Sequence, residues 1–203
     1  MRHPKMIAGD PTAEDIKGLI LEKAIDRFVQ YGFGKTTMVE IAKDCDMSAG
    51  NLYRYFESKF DIGVGVAQGY IAQAEQILKD VMQRPGLQPG QRLEAFVLEK
   101  LRFMHHHILE QPNAQDLVNY ILDERWDLVE RHRDVQNGLV SEILSEGNRS
   151  GEFKVGDVAQ TANVIYAMTT KFRLPHFIKN VTLEELEQEA KGVVALMIHG
   201  LKG

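Results

Sequence analysis

Two groups of residues in this 203-residue chain could do chemistry. The first is the run Ser48-Ala49-Gly50-Asn51-Leu52-Tyr53-Arg54-Tyr55, where small and hydrogen-bonding side chains are interleaved with aromatics. Donors and acceptors on so slim a helix suit contact with base edges in a major groove. The second is His105-His106-His107 together with His132, which invites a metal reading. Adjacent helical residues lie about 100° apart, so three consecutive imidazoles cannot converge on one ion. Neighbours three and four residues back place His106 with Glu99 and Arg102, toward water. The same count places His105 with Leu98 and Leu101, and His107 with Phe96 and Phe103. His132 aligns with Leu128, Val135 and Leu139, the setting of a satisfied core histidine. We therefore expect no metal and no cofactor.

Catalysis has little to rest on. The chain has no Ser/His/Asp arrangement with independent support, no Gly-rich phosphate loop and no acidic pair with a definable pocket, so an enzyme would depend on scattered histidines. The single Cys45 allows no intramolecular disulfide and reads as a buried structural residue rather than a redox thiol. Its isolation fits a reducing compartment. No stretch approaches the ~20 apolar residues of a membrane span, and residues 1–11 have no signal-peptide core, so a cytoplasmic protein is expected. The net charge of -5 belongs wholly to the second part of the chain: residues 1–60 carry 9 Lys and Arg against 9 Asp and Glu, and 61–203 carry 15 against 20. Overall acidity thus neither supports nor excludes contact with DNA.

Helical periodicity runs almost throughout, which predicts an all-α fold. A first helix over 13–31 carries Ile16, Ile20, Ala24 and Phe28 on one face and stops at Gly32. A second starts at Thr36-Thr37, where Thr37 and Glu40 form a capping box, and lasts to about Lys43. After the turn Asp44-Cys45-Asp46-Met47, Ser48 caps a third helix, with Met47 and Leu52 as its hydrophobic staple. A fourth helix spans 58–82, and later ones are expected at 91–110, 113–121, 123–148, 157–174 and 182–201. Breaks fall at Pro85 to Gly90, Gln111-Pro112, Gly147 to Gly151, Pro175 and Asn180.

Two short helices joined by a four-residue turn form a helix-turn-helix, with small Ala42 at the crossing and Ile41, Leu52 and Tyr55 holding the pair together. The series Ile20, Ala24, Phe28, Gly32, Thr36-Thr37, Ile41-Ala42 and Met47 through Lys59 resembles the tetracycline-repressor-like (TetR) family of transcriptional regulators. The likeness covers about residues 16–62, and the Leu52-Tyr53-Arg54-Tyr55-Phe56 and Ser58-Lys59 run is its most specific part. Beyond it, the turn from Glu146 to Phe153 is similar to the family's link between its seventh and eighth helices. The family usually has glycine where this chain has Asp46, but Asp tolerates positive φ and the turn should survive.

The resemblance implies a DNA-binding domain over 13–60 and a helical effector-binding and dimerisation domain over 61–203. It implies that Thr36 and Thr37 contact phosphate, that Ser48, Tyr53, Tyr55 and Lys59 hold the DNA backbone, and that Ala49, Gly50, Asn51 and Arg54 face bases. Lys35, Arg2 and Lys5 would add phosphate contacts. A homodimer interface would use Val158, Ala162, Ile165, Leu186, Ala190, Val193, Met197 and Leu201, unless these simply bury in one monomer's core. Phe103, His107, Tyr120, Trp126, His132, Tyr166 and Phe172 are the candidates to line a pocket for a small organic effector. The expected function is a ligand-responsive repressor, released from a near-palindromic operator. The rival readings are a helical interaction module without DNA binding and an enzyme.

Overall fold

The first helix, α1 (Ala13–Tyr31), forms where its pattern places it: Thr12 and Asp15 make a capping box, Ile20, Ala24 and Phe28 bury one face, and Gly32 stops it at φ 91°. The computed structural model describes residues 11–110, 113 and 115–203, so Arg2, Lys5, Gln111 and Pro112 lie outside the described residues. The elements that follow are α2 (Met38–Asp44), α3 (Ala49–Leu52), α4 (Lys59–Gln83), α5 (Pro89–Glu110), α6 (Gln115–Glu124), α7 (Trp126–Ser150), α8 (Val158–Met168), α9 (Pro175–Ile178) and α10 (Leu183–Leu201). No strand occurs among the described residues, as an all-α fold requires.

Several boundaries depart from the sequence reading. Pro89 and Pro175 open helices rather than ending them, because a proline at the first helical position lacks only an N–H that would be unpaired there. Gly147 does not break α7, which runs to Ser150 and ends at Gly151 with φ 79°. Gly147 is glycine because the Phe153 ring lies against it: a Cβ there would sit 2.0 Å from that ring. The helix expected over 157–174 ends at Met168, and Thr170–Arg173 continue as a 3-10 turn.

The apolar side chains gather in two clusters. The head cluster joins α1 to α3 with the N-terminal half of α4 through Ile20, Phe28, Ile41, Leu52, Ile62 and Val66. It also takes in Leu117 and Ile121 of α6 and Leu128 of α7. The body cluster joins the C-terminal half of α4 to α5, α7, α8 and α10 through Leu78, Leu93, Leu101, Ile143, Ile165 and Leu186. Helix α4 therefore belongs to both. Its C-terminal carbonyls are closed by the buried Arg92, whose guanidinium donates to Val81 (2.9 Å), Met82 (2.6 Å) and Arg84 (3.2 Å).

Candidate nucleic-acid interface

The turn between α2 and α3 is a Schellman motif built without glycine. Asp46 takes φ 52°, the Met47 N–H donates to Ala42 O (3.0 Å), and the Asp46 N–H donates to Lys43 O (3.1 Å). Met47 then packs on the head cluster beside Leu52, as the staple predicts. Cys45 is buried beside them, and burial pushes its thiol pKa up, which leaves it protonated and inert. Ser48 Oγ accepts from the Asn51 N–H at 3.1 Å and starts α3. That helix is only 4 residues long; Tyr53 to Tyr55 continue it as tighter turns, with Arg54 N–H on Asn51 O (3.1 Å) and Tyr55 N–H on Leu52 O (2.9 Å).

Leu52 is fully buried and holds this element down, which leaves Gly50, Tyr53 and Arg54 facing outward, Tyr53 at 53% exposure. Ser48 is exposed, whereas Ala49 and Tyr55 pack partly on the head cluster. Asn51 is half-buried, with its amide turned back toward Met47 Sδ at 4.0 Å. Lys35 and Arg54 are exposed and, among the described residues, have no carboxylate partner.

Two of the expected phosphate contacts have partners within the head. Thr36 is 2% exposed and donates its hydroxyl to Gly32 O at 2.9 Å, so it closes the end of α1. Lys59 donates to Phe33 O (2.8 Å) and Gly34 O (3.3 Å) and lies over the Phe33 ring, so it braces the α1–α2 loop. Burial there draws its ammonium pKa down. Thr37 is exposed, but its hydroxyl and N–H are both engaged with Glu40. The groups left for phosphate at the start of α2 are the backbone amides after the cap, which have no intrahelical acceptor.

Sequence reasoning missed Arg27. Its guanidinium grips Asp44 through Nε and Nη2 and reaches Glu40 at 3.4 Å, which ties α1 to α2 and neutralises the acids of α2. No local pattern signals a pair 17 residues apart; only the crossing of two helices creates it.

The chain matches two family models: "Bacterial regulatory proteins, tetR family" over residues 20–62 and "Tetracyclin repressor-like, C-terminal domain" over residues 89–194. It belongs to the TetR family. Its relatives include the HTH-type transcriptional repressor KstR2 of Mycobacterium tuberculosis, 24% identical over 142 residues, which cover 68% of this chain and 69% of the relative. The fatty acid metabolism regulator protein of Bacillus subtilis is 23% identical over 189 residues, covering 90% of this chain and 93% of that protein. Among solved structures, a transcriptional regulator from Cytophaga hutchinsonii shares the fold at TM-score 0.73 and 22% identity, covering 92% of this chain and 98% of that one. This TetR-family chain is thus a DNA-binding transcriptional regulator, and α2 to α3 is its helix-turn-helix.

The effector candidates are scattered through the regulator's body. Phe103 and His107 stack edge-to-face with centroids 4.3 Å apart, and Tyr70 meets the same imidazole at 5.0 Å. His132 Nδ1 lies 3.1 Å from Glu75 Oε1. Two cations lie over the Tyr166 ring, Arg173 at 3.5 Å and Lys100 at 5.5 Å from its centroid. Phe172 is buried in the body cluster. Tyr120 instead joins Phe33 (5.5 Å) and Phe60 (4.8 Å) in an aromatic cluster between head and body, and Trp126 is 52% exposed at the start of α7. The histidine run splays as helical geometry requires: His105 is buried, His106 exposed and His107 half-buried.

The dimer candidates divide between the monomer's core and its rim. Ala162, Ile165, Leu186, Ala190 and Met197 are buried in the monomer's own body cluster, with Val158, Val193 and Leu201 packed at its rim. The apolar side chains left outside are Val164 and Met168 on α8 and Leu196, 74% exposed, on α10.

Proposed function

We propose that the chain is a homodimeric repressor, released from a near-palindromic operator by a small organic effector that binds within the 61–203 body. What carries the reading is the way the body holds the head. Leu117 and Ile121 of α6 sit inside the head cluster, and Asn113 donates to Val29 O (2.8 Å) and Gln30 O (3.2 Å) at the end of α1. At the same junction a Cβ on Gly63 would lie 2.7 Å from the Phe33 ring and 3.0 Å from Leu117. A junction packed this tightly transmits a shift of α4 or α6 as a rotation of the head. Effector binding then favours a body conformation in which the two heads no longer match half-sites ~34–36 Å apart. Val164, Met168 and Leu196 supply the apolar face for the second copy.

In the head, Tyr53, Ser48 and Lys35 act on the DNA backbone, whereas Gly50 and Arg54 face bases, with Ala49 and Asn51 beside them. The names of the two curated relatives, one a repressor and one a fatty acid metabolism regulator, fit an apolar effector. No helix among the described residues is long and apolar enough to cross a membrane, consistent with a cytoplasmic regulator. The role is one of binding rather than catalysis.

A mobility shift on the DNA upstream of the chain's own gene tests this. Tyr53→Ala should weaken operator binding by about three- to tenfold, the value of one hydrogen bond, with unfolding unchanged. Wild-type binding must also weaken steeply with salt. Unaltered affinity in the variant sinks the head assignment, and absent wild-type binding favours the interaction-module reading.

A further inference from the structure

We propose that Lys100 and Arg173 form the anion-binding end of the effector site and take the carboxylate of an otherwise apolar organic acid. The inference rests on the effector-responsive reading above and names the ligand's chemistry.

The two apolar clusters do not merge, and several polar side chains lie between them. Along α7, Leu128 and Val129 belong to the head cluster and Leu139 and Val140 to the body; His132 and Gln136 lie between. Along α4, Tyr70 and Ile71 belong to the head cluster and Leu78 to the body, and Glu75 lies between. Lys100 of α5 and Tyr166 and Arg173 complete this belt through the middle of the molecule.

The belt is electrostatically incomplete. Lys100 Nζ donates to Gln136 Oε1, a neutral acceptor. Arg173 Nη2 donates to Thr170 Oγ1 (2.7 Å) and Tyr166 O (3.3 Å), also neutral, and its Nε is buried with no hydrogen-bond partner among the described residues. The belt's carboxylate, Glu75, is bonded to His132. Burial and then the Arg173 charge draw the Lys100 ammonium well down. Both side chains are half-buried, and cations drawn out of water are ordinarily paired. A fold that keeps two of them beside one aromatic ring holds a place for a negative charge.

The apolar part of the ligand follows from α5. Lys100, Phe103 and His107 lie at spacings of three and four on one helical face, and Tyr70 covers His107 from α4. A carboxylate set between Lys100 Nζ and Arg173 Nε would direct the remainder of the molecule along these rings. Arg173 has part of its guanidinium already committed, so one carboxylate fits the remaining donors better than a phosphate with three oxygens to satisfy.

The test uses the full-length wild type, Arg173→Gln, and Lys100→Met combined with Gln136→Leu, which removes the cation without stranding its acceptor. Hexanoate, decanoate, palmitate and phenylacetate are titrated by calorimetry and thermal shift, each beside its methyl ester. At least one acid should bind wild type at least about tenfold more tightly than its ester, as a charge-assisted pair requires, and both variants should lose that preference. Equal binding of acid and ester, no binding by any acid, or a preference that survives in both variants overturns the inference. Ligand-free operator binding is measured in parallel. If wild type binds operator and shows no acid preference, only this inference fails; if it shows the preference and binds no operator, the regulator reading fails and the anion site stands.

Discussion

The head and the body treat their partly buried cations in opposite ways. In the head, Arg27 meets Asp44 and Glu40, and Lys59 lies on two carbonyls at the end of the α1–α2 loop. Each is joined to the group it needs to hold one helix against another. In the body, Arg92 follows the same rule by closing the end of α4 and reaching Glu146 at 3.6 Å, but among the described residues Lys100 and Arg173 meet only neutral hydrogen-bond partners. The head is thus a finished object whose chemistry faces outward, and the body keeps unfinished electrostatics inside. A reading head must present the same surface at every encounter, whereas a sensor gains from an interior whose energy a ligand can change.

The largest expected effect tests how finished the head is. Phe28 is buried against Phe33, with ring centroids 5.1 Å apart, so Phe28→Ala should cost about 3–5 kcal/mol of stability and abolish operator binding. Urea unfolding followed by circular dichroism measures this. A loss under about 1 kcal/mol would mean that the head core collapses around the gap and is less rigid than its packing implies.

A smaller effect of opposite sign is expected in the body. Replacing Lys100 by Met together with Gln136 by Leu exchanges a half-buried amine without a carboxylate partner and its neutral acceptor for apolar volume, and should stabilise the ligand-free protein by about 1 kcal/mol. Thermal unfolding at neutral pH reads this directly. A lower melting temperature would show that Lys100 is a structural strut like Lys59, and the contrast between the two regions would disappear.

Much of the head was legible because its signals are local. Thr37 with Glu40, Ser48 with Asn51, and Gly32 after α1 act within a few residues, and the structure has all three. The internal partners of Thr36 and Lys59, Gly32 O and the Phe33 and Gly34 carbonyls, leave no local signal because they are fixed only when the loop folds. In the body, the apolar band of α10 is wide enough for two neighbours, and periodicity marks a face without saying which neighbour covers it. Leu186, Ala190 and Met197 pack inward, and Leu196, between two apolar stripes, is left outside. Lys100 and Arg173 carry no sequence signal: a lysine on an amphipathic helix reads as solvated until its opposite face is known.

The smallest prediction turns on pH and probes the belt without touching the two cations. His132 is mostly buried against Glu75. Burial lowers its pKa below the ordinary 6.5 and is the largest influence; the Glu75 hydrogen bond opposes it, and the positive charges of Lys100 and Arg173 add to the lowering. The imidazole is therefore neutral in the folded protein at pH values where the unfolded chain already binds a proton. Its contribution to stability is complete above 6.5 and is lost as pH falls through the folded-state value. Denaturant titrations across that range should show wild type losing stability faster than His132→Gln on acidification, by about 1 kcal/mol or less, and running parallel to it above neutrality. In the Lys100→Met, Gln136→Leu background the extra loss should shrink, because one of the charges holding the imidazole neutral is gone. An extra loss that does not change there would place His132 outside the field of Lys100 and divide the belt into two independent pairs.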